Sequence, residues 1–141
     1  KANQNFETAL SMIRQTGARA TAARVNVLNA LLRADHALTH HEVEGVVDVK
    51  GGAIQRVTLY RVLDWLVKQG LAHKITGPDR VWRFSAQSDA KADHAHFNCT
   101  HCGQVYCLED LNPAVAVTLP KGFRLEHADV SVQGLCPHCS S

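Results

Sequence analysis

Three imidazoles, one carboxylate and two thiols fall within ten residues, as Asp93, His94, His96, Cys99, His101 and Cys102. A second thiol pair, Cys136 and Cys139, lies near the C-terminus. A Cys-x-x-Cys turn folds two thiolates toward one ion, and two such turns complete a tetrahedral sulfur site. Gly103, directly after the first pair, suits the tight backbone of such a knuckle. A single pair would read as readily as a redox dithiol, but two pairs at opposite ends of a small domain favour a metal. The spacing therefore predicts a structural Zn2+ on Cys99, Cys102, Cys136 and Cys139. Such a site is closed, so it holds the fold and does no chemistry. His101 and His138 sit inside the knuckles and are not needed as ligands.

A second site is suggested by the residues left over. His94 and His96, in an extended segment, project to the same side. Cys107 is the only Cys outside the knuckles, on an alternating stretch from Gln104 to Glu109 where it shares a face with Val105 and Glu109. Two imidazoles and a thiolate suit Zn2+, with a fourth ligand to come from His73, Asp89, Asp93, Glu109 or His127. The competing reading is that Cys107 is a buried small apolar residue, the common fate of a free Cys.

The elements that must position these groups follow from length and pattern. At 141 residues the chain holds one ordinary domain or two small ones. Its 45% hydrophobic and 20% charged residues are those of a soluble globular protein, and no apolar run is long enough to span a membrane. The segment Lys1–Phe6 lacks the apolar region of a secretory signal. An odd count of five Cys without such a signal points to reduced thiols in a cytoplasm. Lys and Arg outnumber Asp and Glu by 12 to 7 over residues 1–85, and are outnumbered 3 to 6 over residues 86–141. That split suits a polyanion as partner for the first part and cations for the second.

In the first part, apolar spacing predicts helices over residues 4–16 and 21–32, with Thr21 as an N-cap. Thr39-His40-His41-Glu42 matches a capping box opening a short helix. A turn at Val49–Gly52 leads to the clearest helix, Gln55 to Gln69, with Gly70 just past its end. Strands at 71–76 and 80–84 are joined by a turn at Gly77-Pro78-Asp79. This is the order of a winged helix-turn-helix, whose third helix enters the DNA major groove. Arg56, Thr58, Tyr60 and Arg61 near the start of that helix, with Arg19 and Arg24 before and within the second, are the candidate DNA contacts. Residues 86–93 are small and polar and read as a hinge. In the second part, a strand at 104–109, a short helix at 110–118 and a strand at 123–132 predict a small antiparallel sheet. A set this small is marginal alone, so residues 94–141 are expected to dimerise with a second copy. The fold class is α+β: a winged-helix domain over 1–85 and a small zinc-containing α/β dimerisation domain over 94–141.

Several of these residues stand in a specific order: Arg19-Ala20-Thr21-x-x-Arg24, Thr58-Leu59-Tyr60-Arg61-Val62-Leu63, Gly70-Leu71, His94-x-His96-x-x-Cys99-x-x-Cys102-Gly103, Gly122-Phe123, His127, and Gly134-Leu135-Cys136-x-x-Cys139. In this order the chain resembles the ferric uptake regulator family of bacterial metal-dependent transcriptional repressors, from about residue 5 to Cys139. The resemblance implies a homodimer that binds a palindromic operator of double-stranded DNA when a regulatory divalent metal is bound. It assigns the major-groove tyrosine to Tyr60, followed by Arg61, and the basic residues about the second helix to Arg19 and Arg24. It assigns regulatory ligands to His94 and His96, and a secondary-site histidine to His127.

The chain departs from that pattern at the regulatory site. Ala37 stands where iron- and peroxide-responsive members place a histidine, with His36 one step away. Arg83, which cannot bind a metal, stands near the family's wing-strand ligand, and Cys107 stands at a carboxylate position. His73-Lys74 resembles the zinc uptake branch, and exchanging an oxygen ligand for a thiolate shifts preference toward zinc. The expectation is a zinc-sensing repressor, not an enzyme. An iron-, manganese- or peroxide-responsive regulator is the alternative, and a zinc-ribbon interaction module is a more distant one.

Overall fold

The computed structural model describes residues 2–47, 54–77, 79–86, 95–108, 119–124 and 130–140. Helix α1 (Ala2–Gln15) presents Ala9 and Ile13 to the core, both fully buried. Helix α2 (Ala22–Arg33) starts where the Thr21 hydroxyl accepts the Arg24 backbone N–H at 3.3 Å, as its sequence predicts. It buries Val25, Val27, Leu28, Ala30 and Leu31, more than one stripe, and so runs through the middle of the core. Helix α3 (His40–Val46) is opened by a complete capping box. Glu42 N–H donates to the Thr39 hydroxyl, and Thr39 N–H donates to the Glu42 carboxylate.

Helix α4 (Arg56–Lys68) turns Leu59, Val62, Leu63 and Leu66 inward. Fully burying one such side chain contributes about 1.5–3 kcal/mol. The helix ends in a left-handed Gly70 (φ 75°), with Gly70 N–H on Val67 C=O and Leu71 N–H on Leu66 C=O. That pair of bonds needs a positive φ, which glycine adopts without strain.

Strands β2 (Ala72–Thr76) and β3 (Trp82–Ala86) form the expected hairpin, with Ala86 paired to Ala72. Strand β3 thus continues one residue into the segment read as a hinge. A third strand, β1 (Leu38–Thr39), pairs antiparallel with β3, so the wing is a sheet of order β1-β3-β2.

The second sheet joins β4 (Ala95–Cys99), β5 (Val105–Leu108) and β6 (Val130–Gly134) in the order β5-β4-β6. The expected all-antiparallel arrangement is corrected here: β5 is antiparallel to β4, but β6 is parallel to it. The strand expected at 123–132 is also corrected. Phe123 and Arg124 are outside any strand, while β6 runs on to Gly134, opposite Cys99. A parallel neighbour must be reached by a crossover, not a hairpin. The expected turn at 49–52 and helix at 110–118 lie outside the described residues. A short helix α5 (Pro137–Ser140) follows.

The main core lies between α1, α2, α4 and the wing, with Phe84 at 1% exposure among its largest members. A second small cluster, Ala37, Ile75 and Val105, ties the loop before β1 and the wing to β5. There Ala37 N–H donates to Val105 C=O at 2.7 Å. No described helix is long and apolar enough to cross a membrane.

Candidate metal centres and nucleic-acid interface

The two knuckles are brought together by the β4–β6 pairing. Cys99 ends β4 opposite Gly134, and both Thr100 N–H and the Thr100 hydroxyl donate to Gly134 C=O. Between the first two thiols the chain reverses: Gly103, at φ 79°, donates to Cys99 C=O, and Cys99 N–H donates back to Gln104 C=O. Two residues after Gly134, Cys136 enters α5, whose first turn returns Cys139 N–H to Cys136 C=O. All four sulfurs lie within 4.8 Å of one another, with Cys102 and Cys136 Sγ 3.9 Å apart. Tetrahedral Zn2+ with bonds of about 2.3 Å holds its sulfurs about 3.8 Å apart, so the donor set fits that ion.

The electrostatics favour partial ionisation. Backbone N–H groups of Cys102 and Cys136 directed at the Cys99 sulfur lower its pKa to about 5. The neighbouring Cys136 and burial push Cys139 up to about 12. Four thiolates cannot share this space without a cation between them. Tyr106 beside the cluster is raised to about 12, by burial first and then by Cys136.

The second site draws on both sheets. His73 on β2 and His96 on β4 face each other with their Nε2 atoms 3.3 Å apart and their rings stacked at 28°. One imidazole N–H donates to the other's lone pair, and the tautomers decide which. Two imidazoles on one tetrahedral ion, at bonds of about 2.0–2.1 Å, would have nitrogens about 3.3–3.4 Å apart. The pair lines a cavity of about 330 Å³ with Lys74, Trp82, Asn98 and Ser131. The backbone register sets Cys107 opposite His96, but the Cys107 side chain lies outside the described residues. So do His94, Glu109 and His127, with Asp89 and Asp93. Of the expected regulatory set, the structure therefore brings together His73 and His96.

Arg83 is accounted for by an ion pair. Its two terminal nitrogens each donate to one carboxylate oxygen of Asp79 at 2.8 Å, and the residue is only 8% exposed. That guanidinium holds the Asp79 carboxyl well below the usual carboxylate range. His36 is engaged elsewhere, with Nδ1 2.7 Å from Asp35 and its ring edge toward Tyr106. Asn98 carried no signal in the sequence. It is buried on β4 and donates to the Ser131 hydroxyl at 2.8 Å, while its own carbonyl has no partner among the described residues.

The candidate DNA contacts group on α4. Arg56, Tyr60 and Arg61 are exposed with Val57, and Thr58 is half-buried at their side. Arg56 reaches Glu44 on α3 at 3.7 Å. Arg24 is fixed by two contacts, stacking 3.9 Å over the Trp65 ring and donating to Arg19 C=O at 2.9 Å. Arg19 itself is exposed. A cation–π partner 41 positions away in the sequence leaves no local signal at Trp65.

The model of the Ferric uptake regulator family matches residues 15–132. The Transcriptional regulator FurA of Mycobacterium tuberculosis is 34% identical over 131 residues, which is 91% of this chain and 87% of that protein. The Zinc uptake regulation protein of Escherichia coli is 27% identical over 128 residues, covering 89% and 75%. Among solved structures, a zinc uptake regulator complexed with zinc and DNA superposes with a TM-score of 0.69 at 24% identity, over 99% of this chain and 95% of that one.

Proposed function

The chain belongs to the ferric uptake regulator family of metal-responsive, DNA-binding transcriptional regulators, which are not enzymes, and from that premise we propose that it is a cytoplasmic zinc-responsive repressor. It binds a palindromic operator as a homodimer when its regulatory site is filled. The observation that carries this reading is the pair of imidazole nitrogens 3.3 Å apart, one contributed by the wing and one by the sheet that holds the knuckles. A zinc ion bound there would supply a bond from each imidazole and so a link between the two sheets.

The surrounding residues support zinc over iron. Arg83 and Asp79 satisfy each other, and β3 carries no carboxylate. The register partner of His96 is a cysteine, and imidazole with thiolate favours zinc. His94, Cys107, Glu109 and His127 are the candidates that complete the set. Cys99, Cys102, Cys136 and Cys139 hold the structural zinc.

The domain roles follow: residues 1–85 bind DNA, 86–93 form the hinge, and 94–141 dimerise. Edge strand β6 carries exposed Val132, with exposed Leu135 after it and Phe123 at 68% exposure, which supports a second copy against this half. On the other half Arg19, Arg24, Arg56, Thr58, Tyr60 and Arg61 meet the operator. A clean switch from 1:99 to 99:1 requires the metal to favour the DNA-competent arrangement by about 5.5 kcal/mol.

The test is a titration of protein retaining its structural zinc with Zn2+, Fe2+ and Mn2+, read as binding to duplex DNA selected by the metal-loaded protein. Tightening by Zn2+ at lower free metal than by Fe2+ or Mn2+, lost in His73→Ala, is expected. The iron-, manganese- or peroxide-responsive alternative takes over if Fe2+ or Mn2+ acts and Zn2+ does not.

A further inference from the structure

We propose that His40 is a positioning residue for sequence-selective DNA recognition, holding the Tyr60 ring in one orientation on the exposed face of α4. The inference rests on the reading above that Tyr60 contacts bases. Tyr60 is 43% exposed. On a bare helix surface such a ring exchanges between the two χ1 wells open to aromatic residues in helices. Here the choice is constrained. The His40 ring meets the Tyr60 ring edge-to-face, with centroids 4.4 Å apart and planes at 79°.

On its other side His40 meets Phe84 in the same manner, at 4.8 Å and 72°. Phe84 belongs to the main core and is 1% exposed. The backbone of His40 is fixed as well, because it is the first residue of α3 and follows the Thr39 capping box directly. A continuous line of contacts thus runs from core to Phe84, to His40, to the recognition tyrosine.

The chemistry of the imidazole suits this task. Its burial and the nearby Lys74 lower its pKa and so favour the neutral form, against the smaller opposing influence of Asp64 and Glu44. A neutral imidazole makes this edge-to-face contact with a tyrosine ring without placing a charge in the cleft. That cleft is shared by Thr39, His41, Glu44, Arg56 and Val81. The arginines on this face attract any duplex through phosphate, whereas a tyrosine in one fixed orientation discriminates between base edges. Losing the His40 ring should therefore lower the preference for one sequence and leave general affinity for DNA intact.

The experiment uses zinc-loaded full-length protein. A duplex enriched from a random-sequence library by the wild type is compared with a scrambled duplex by fluorescence anisotropy. His40→Leu fills the space over Phe84 but has no aromatic edge, and should lower the ratio of selected to scrambled affinity about 3- to 10-fold. His40→Phe restores an aromatic edge and should keep the ratio within about twofold of wild type. Tyr60→Ala should lower the ratio at least as far, and the double variant His40→Leu with Tyr60→Ala should be no worse than Tyr60→Ala alone.

Additive losses, an equal loss on both duplexes, or an unchanged ratio in His40→Leu would each overturn the inference. An unchanged ratio in Tyr60→Ala, or a wild type that enriches no sequence, overturns instead the reading on which it rests. Should His40→Leu not fold, His40→Phe still decides, because a ratio as low as that of Tyr60→Ala contradicts the proposed role.

Discussion

At Arg83 a guanidinium is taken almost wholly out of water, and the carboxylate that answers it, on Asp79, remains half exposed. The asymmetry sets what removing either group does. Without Asp79 the arginine stays buried and uncompensated, whereas an ion pair in open solvent contributes little. Asp79→Asn is expected to lower the Tm at pH 7 by about 2–4 °C. Because the folded pKa of Asp79 is depressed, its contribution is fully present above the ordinary carboxylate value and is lost as pH falls toward the folded one. The Tm difference between wild type and Asp79→Asn should therefore shrink on acidification below about pH 4; a constant difference would show that the charge of Asp79 is not its source. The four Cys side chains obey a different rule, since as thiolates they can share one space only around a cation. Cys102→Ser should lower the tightly held metal, measured by mass spectrometry under native conditions, by one ion per chain, with a mass matching zinc on the reading proposed above. Loss of helical ellipticity at 222 nm should be small, because the N-terminal core does not include the knuckles.

At the scale of elements, what could be read in the sequence was whatever is local. The helix starts at Thr21 and Thr39 and the stop at Gly70 depend on hydrogen bonds spanning three to five residues, and each formed as its residues dictate. The two Cys-x-x-Cys turns were equally legible, since spacing alone aims their thiols. Strand β1 was not, because two residues have no periodicity and gain strand character only from Phe84 and Arg83 across the sheet. Nor was the direction of β6, which alternation cannot specify. The meeting of His73 with His96 also depends on long-range packing, and so His73 stood only as one of several possible fourth ligands. Asn98 and Trp65 had no pattern to betray them. Local legibility makes one element-scale test sharp. Thr39→Ala removes the bond from Glu42 N–H to the hydroxyl, keeps the backbone N–H of residue 39 on the Glu42 carboxylate, and should cost about 1 kcal/mol in chemical denaturation. An unchanged midpoint would mean that the Thr39 hydroxyl contributes nothing to holding α3.

The whole molecule is a question of how two sheets are held against each other. Among the described residues, the imidazole pair is joined by Ala37 N–H on Val105 C=O, by the packing of Ala37 and Ile75 on Val105, and by the His36 ring against Tyr106. These contacts need no metal, so they set the equilibrium on which a regulatory ion acts. An ion shifts that equilibrium only by its preference for one arrangement, and its apparent affinity falls with the fraction of molecules already in it. Val105→Ala removes two carbons from the small cluster and keeps the backbone bond to Ala37. By analogy with other large-to-small core changes it should weaken docking by about 1–2 kcal/mol. If the docked arrangement is the one that binds DNA, the Zn2+ concentration giving half-maximal binding of the selected duplex should rise about 5- to 30-fold. Affinity at saturating Zn2+ should fall much less, and binding to scrambled duplex without added metal should not change. A midpoint that stays put while the Tm drops would show that Val105 stabilises the fold without biasing the switch, and would place the regulatory equilibrium in the imidazole pair alone.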